Sequence, residues 1–87
     1  MNKTAIYKYP FAPVDSFAID MPAPAEVLHV DCQRGQPCMW VLVWPDGETV
    51  TRRFRLVGTG HEFDSKSLRY LATFQQSPFV WHLFEEP

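Results

Sequence analysis

The sequence has no excess of positive charge and no long apolar run. Eight lysines and arginines stand against ten aspartates and glutamates, giving a formal charge of −2 and a pI near 5.8. Duplex-nucleic-acid binders carry a clear basic excess, so this balance argues against a general duplex DNA or RNA partner; a small anion needs only a local patch. The longest apolar stretch, residues 39–44, falls far short of the roughly 20 residues a membrane helix requires. No charged segment followed by an apolar one opens the chain. The expected setting is the cytoplasm, with no membrane partner.

Cysteine is scarce as well. Cys32 and Cys38 flank the turn-like Gln33-Arg34-Gly35-Gln36-Pro37 and could face each other across a hairpin. Without an export signal, free thiols are the favoured reading. Zinc would need two further ligands, and His29, His61 and His82 lie on separate segments without ligand spacing. No metal or cofactor is expected. The chain also has no GxSxG, HExxH, CxxC or P-loop pattern. His61 with Asp64 could form an acid–base pair, but nothing supplies a nucleophile beside it, so no enzyme is expected.

What the 87 residues do contain is apolar surface: 46% are hydrophobic and 15% aromatic. That is enough to offset the chain entropy of one small domain, with no room for a second. Alternation with period two marks strands over residues 4–9, 16–21 and 26–32. The second places Phe17, Ile19 and Met21 on one side; the third does the same with Leu28, Val30 and Cys32. Residues 38–44 are apolar at nearly every position, which fits a central strand covered on both faces or one that meets a subunit partner. Pro45-Asp46-Gly47 predicts a hairpin turn into a return strand over residues 48–57. Residues 58–67 read as a polar loop, and 68–74 and 79–84 as two last strands. The expected fold is all-β: a small antiparallel sandwich or partly open barrel of six to seven short strands with little helix. Three tryptophans in so small a domain also predict aromatic surface shared between copies, hence a homo-oligomer, with Trp44 a candidate contact.

The candidate site centres on Gly58-Thr59-Gly60-His61, where a strand runs into a turn. Its glycines let the backbone approach a ligand, while a hydroxyl and an imidazole offer hydrogen bonds to phosphate or carboxylate. The alternative is a plain strand-ending turn. Upstream, alternation puts Arg53 and Arg55 on one face and leaves Arg52 on the apolar side, where it needs a partner. Arg53 and Arg55 suit bidentate phosphate binding, or form a solvated face paired with Glu48, Glu26 or Asp31. Arg34 and Arg69 are further cationic candidates. Tyr7, Tyr9, Trp40 and Trp81 could stack on a purine if exposed, or belong to the core.

Tyr7-Lys8-Tyr9-Pro10, Pro37-Cys38-Met39-Trp40, Gly58-Thr59-Gly60-His61, the segment from Leu68 to Gln75 and Val80-Trp81-His82-Leu83-Phe84-Glu85 follow one another in this order. On these stretches the chain resembles a family of small uncharacterised proteins of phages and prophages. It is also similar to the viral sponge proteins of the anti-CBASS type, which sequester cyclic nucleotide signals of bacterial immunity. That resemblance implies a small multimer holding a cyclic nucleotide, without cleaving it, in pockets between subunits. On the chemical reading above, the turn from Gly58 to His61 with Arg53, Arg55 and Arg69 would then meet phosphates, and Tyr7, Tyr9 or Trp40 the bases. The alternative is an accessory module that binds a host protein through the Trp40 and Trp44 face.

Overall fold

The computed structural model describes residues 3–87 and has seven strands and no helix among them. They are β1 (Ala5–Pro10), β2 (Ser16–Pro22), β3 (Ala25–Gln33), β4 (Gln36–Val43), β5 (Thr49–Gly58), β6 (Arg69–Gln76) and β7 (Phe79–Glu85). Two antiparallel sheets form, β1-β4-β3 and β2-β5-β7-β6, and they do not close into a barrel. The architecture is therefore a sandwich-like all-β fold.

Alternation dictates the core. Met39, Val41 and Val43 of β4 and Val30 of β3 turn inward from the first sheet. They meet Met21, Phe54, Leu56, Phe74 and Leu83 from the second. Five of these nine, Met39, Val41, Val43, Phe54 and Leu83, have no exposed surface at all. Phe11, between β1 and β2, stacks on Phe17 at 4.7 Å and meets Phe74 edge-on at 5.9 Å. Its backbone is tied to Pro37 and its carbonyl accepts from Gln36 Nε2.

Two expectations change. Pro45-Asp46-Gly47 is not a hairpin turn: β4 pairs with β1 and β3, whereas β5 pairs with β2 and β7, so the turn carries the chain between sheets. Gly47 has no positive φ; a Cβ there would lie 1.8 Å from the Ala23 carbonyl oxygen, so close backbone approach is what requires glycine. Tight hairpins instead join β3 to β4, with Arg34 and Gly35 both left-handed at φ 53° and 80°, and β6 to β7 through Ser77-Pro78. Secondly, a bulge between Val27 and His29 shifts the register of β3. Leu28 therefore leaves the side of Val30 and is 46% exposed, while Val27 takes the inward place. The favoured reading of the cysteines as free thiols holds: Cys32 pairs with Pro37, and Cys38 with Asp31. Successive pairs point to opposite faces, so the thiols cannot meet across the hairpin, and both are free.

β4 is covered on one side only. Its outward residues Trp40 and Leu42 are half-buried, and Ile6 beside them on β1 is 59% exposed.

Candidate functional site

Arg52 faces the interior, as the alternation requires, and finds a carboxylate there. Its guanidinium makes a two-pronged contact with Glu85 of β7 and donates to the Ala25 carbonyl at 2.8 Å, linking the two sheets. Arg69 donates to the same carboxylate at 2.8 Å. Burial alone would push the Glu85 carboxyl up, but hydrogen bonds from Arg52 and then Arg69 outweigh it and hold the group below its ordinary range. The Glu85 hydrogen bond in turn raises the Arg52 pKa. A cleft of about 540 Å³ opens over this cluster, lined also by Ala25, Ser67 and Glu86. Both of its arginines meet Glu85.

The glycine turn builds a different place. Thr59 N–H donates to the Val80 carbonyl and His61 N–H to the Gly58 carbonyl, at 3.2 and 3.1 Å. Gly60 bends the chain back at φ +91°. The His61 imidazole and the Trp81 indole close over Gly58: a Cβ there would lie 3.2 Å from the first and 3.3 Å from the second. Trp81 sits opposite Gly58 on β7, and Phe79 stacks on it with centroids 5.5 Å apart and planes at 30°. Gln76 fixes the indole by accepting from Nε1 at 3.0 Å. Gly58, Thr59, His61, Pro78, Phe79, Val80 and Trp81 together enclose a cleft of about 320 Å³. It offers aromatic faces, one hydroxyl and one imidazole, a composition suited to a planar ligand with polar edges.

Of the residues singled out from sequence, Gly58, Thr59, His61 and Trp81 thus come together, while Gly60 shapes the turn without lining the cleft. Arg53, Arg55, Arg69, Tyr7, Tyr9 and Trp40 do not line this cleft. Tyr7 and Tyr9 lie on the inner side of β1 in the other sheet, their rings 6.3 Å apart. Burial, reinforced by Tyr7, raises the Tyr9 pKa. Trp40 points outward from that sheet beside His29, at 5.7 Å. Arg53 and Arg55 do share a face, but Glu48, Glu26 and Asp31 are not across from them: their β2 partners are Ala18 and Ser16.

Sequence reasoning missed Phe79 and His82. The signal for Phe79 was present, since alternation places it on the Trp81 side immediately after a turn, at the end of a strand that nothing further covers. His82 points to the other face, where Nε2 meets the Thr59 hydroxyl at 2.7 Å and Nδ1 the Thr73 hydroxyl at 2.9 Å. Thr73 and Tyr70 share a further hydrogen bond of 2.8 Å. Period two could give the face of His82 but not these partners, which lie on β6 and in the glycine turn.

Among the described residues, no group of three or more His, Cys, Asp and Glu side chains is arranged to hold a metal ion. Among the same residues, no helix is long and apolar enough to cross a membrane. No curated protein and no solved structure matches the chain. A family profile does match, over residues 1–87, and the chain belongs to that family, a domain of unknown function designated DUF7352.

Proposed function

We propose that the protein is a non-catalytic binder that sequesters a cyclic nucleotide in the cleft at the glycine turn. The observation that carries this reading is the union of Gly58, Thr59 and His61 with the stacked pair Trp81 and Phe79 in one cleft. A base would lie against the indole, since aromatic stacking is worth about 1–3 kcal/mol per base and tolerates any base identity. The Thr59 hydroxyl and the His61 imidazole would meet the sugar and phosphate. Sequestration without cleavage is the reading favoured by a lining that holds His61 but no carboxylate, cysteine, lysine or arginine.

Size makes the assembly part of the same proposal. About 320 Å³ is near the lower end of the ~300–1,000 Å³ range of small-molecule sites, room for one nucleotide unit rather than a whole cyclic dinucleotide. The rest of the ligand would be enclosed by a second copy. A phage-encoded protein acting in the bacterial cytoplasm is the setting that the family resemblance supplies.

A thermal-shift screen against cyclic di- and trinucleotides and cyclic ADP-ribose isomers tests the reading. Stabilisation of the wild type, lost in Trp81→Ala, with the ligand recovered intact after heating the protein, is the expected result. No stabilisation at about 100 μM ligand, where even affinities weaker than 8 kcal/mol register, overturns it. The outward patch of Trp40, Leu42, Ile6 and Leu28 favours a second reading, an accessory module docking on a host protein. A monomer in native mass spectrometry, with no retained small molecule and one stoichiometric host partner, would replace the first reading with this one.

A further inference from the structure

The outward face of β2-β5-β7-β6 carries a second arrangement, independent of the cleft. The register sets Arg55 beside Phe84, and Phe84 beside Tyr70, so that a guanidinium and two rings stand in one row across three strands. Phe63, from the segment after the glycine turn, leans on Phe84 with centroids 5.2 Å apart, and Tyr70 meets Phe84 edge-on at 5.6 Å. Tyr70 is 56% and Phe63 39% exposed. Such exposure of rings already clustered leaves their faces open to a further partner.

The charges beside the rings are uncommitted. Among the described residues the arginine ion pairs join Arg52 and Arg69 to Glu85 and include neither Arg53 nor Arg55. Their neighbours on β2, Ala18 and Ser16, are small and uncharged. Two residues apart on one strand, the two side chains start about 6.8 Å from each other. The next row of the face is polar: Thr73 and His82, tied to Tyr70 and Thr59 by the hydrogen-bonded chain described above.

Rings call for planar apolar partners, and unpaired guanidiniums call for phosphate or carboxylate. An unstacked nucleotide chain offers both at the spacing of neighbouring side chains. We infer that this face is a platform for single-stranded nucleic acid, with bases on Tyr70, Phe84 and Phe63 and phosphates on Arg53 and Arg55. A duplex is a poorer partner, because its bases are already stacked and paired and their faces are closed to the rings. Glu86 lies beside Arg53 and the chain carries a net charge of −2, so binding is weak, short in footprint and only mildly salt-dependent. Two phosphate contacts give a slope of log K against log salt of about −1.4.

Fluorescence anisotropy with labelled single strands of about twelve nucleotides, compared with the matching duplex, tests the platform. The single strand is expected to bind and the duplex not. Tyr70→Ala, at an exposed position, is expected to weaken the complex about 5- to 100-fold, the equivalent of one lost stack. Arg53→Gln should weaken it and reduce the salt slope by about 0.7. Circular dichroism on each variant separates loss of binding from loss of fold. Absence of binding at about 50 mM salt overturns the proposal, as does equal affinity for duplex, or binding that survives both substitutions in folded protein.

Discussion

Two clefts of this small sandwich differ in a way that their volumes conceal. The larger, about 540 Å³, is lined by two arginines and two glutamates, yet Arg52 and Arg69 converge on Glu85 and leave little unmet. The smaller, about 320 Å³, has no lysine, arginine or carboxylate in its lining, and its exposed Phe79 ring stands beside Trp81 with no charge to answer. A concentration of charge marks a site only when the charges have not already found one another. Here the arginines beside the larger cleft are engaged with Glu85, and the candidate ligand groups belong to the smaller one.

That contrast can be broken most forcefully at Glu85. Glu85→Ala leaves Arg52 inside the sandwich without its carboxylate, and the expected loss is about 3 kcal/mol, the lower end for a broken buried pair because Arg52 keeps 16% of its side chain exposed. Urea denaturation would read it as a lower midpoint at unchanged slope. Acid should reproduce part of the effect. The folded carboxyl is held below its usual 4.5, so its contribution is complete above that pH and disappears as pH falls through the lower folded value. Stability that stays level from pH 5 down to about pH 2 would show that the cluster is no anchor.

At the smaller cleft the largest expected effect is on ligand. Trp81→Ala should cost about 1–3 kcal/mol of nucleotide affinity, visible as a lost thermal shift, whereas Arg69→Gln should leave affinity untouched. Equal losses from the two variants would erase the distinction between the clefts. Gly58→Ala comes next, at about 1 kcal/mol of stability, because the new methyl meets the imidazole and indole slightly too closely. Combining it with His61→Ala should recover part of that loss, a coupling measurable in a double-mutant cycle. The smallest effect belongs to Arg53→Gln, within about 0.5 kcal/mol in denaturation, since its guanidinium forms no ion pair among the described residues.

The strands were readable because proline, glycine and period-two alternation are local signals. All seven lie within two residues of their expected limits at either end, and Arg52 announced itself as a charge on an apolar side. Sheet membership was not readable, because pairing is decided by distant segments. Asp46-Gly47 looks like any hairpin tip, and only the neighbouring Ala23 backbone reveals its role. The bulge at Leu28 was hidden for a similar reason, since one inserted residue inverts an alternation that is otherwise unbroken. The site was half legible. The glycine turn could be picked out by composition, but the choice of Trp81 and Phe79 over Tyr7, Tyr9 and Trp40 as its companions depends on which strand runs beside Gly58. The arginine pair met the same obstacle: its face was correct, and its neighbours were set by strands more than twenty residues away in the chain.

The interleaving of the two sheets also governs how the chain comes to be folded. Ala5 pairs with Val43 and Ser16 with Arg55, so neither of the first two strands has a partner until about half the sequence has been made. Large loops must close before their hydrogen bonds form, which places such a topology among slow folders, in the millisecond-to-second range for non-local β domains. During synthesis β1 and β2 would leave the ribosome as bare edges, exposed to any other strand nearby. Pro10 and Pro22, closing those two strands, interrupt the ladder that a wrong partner would extend.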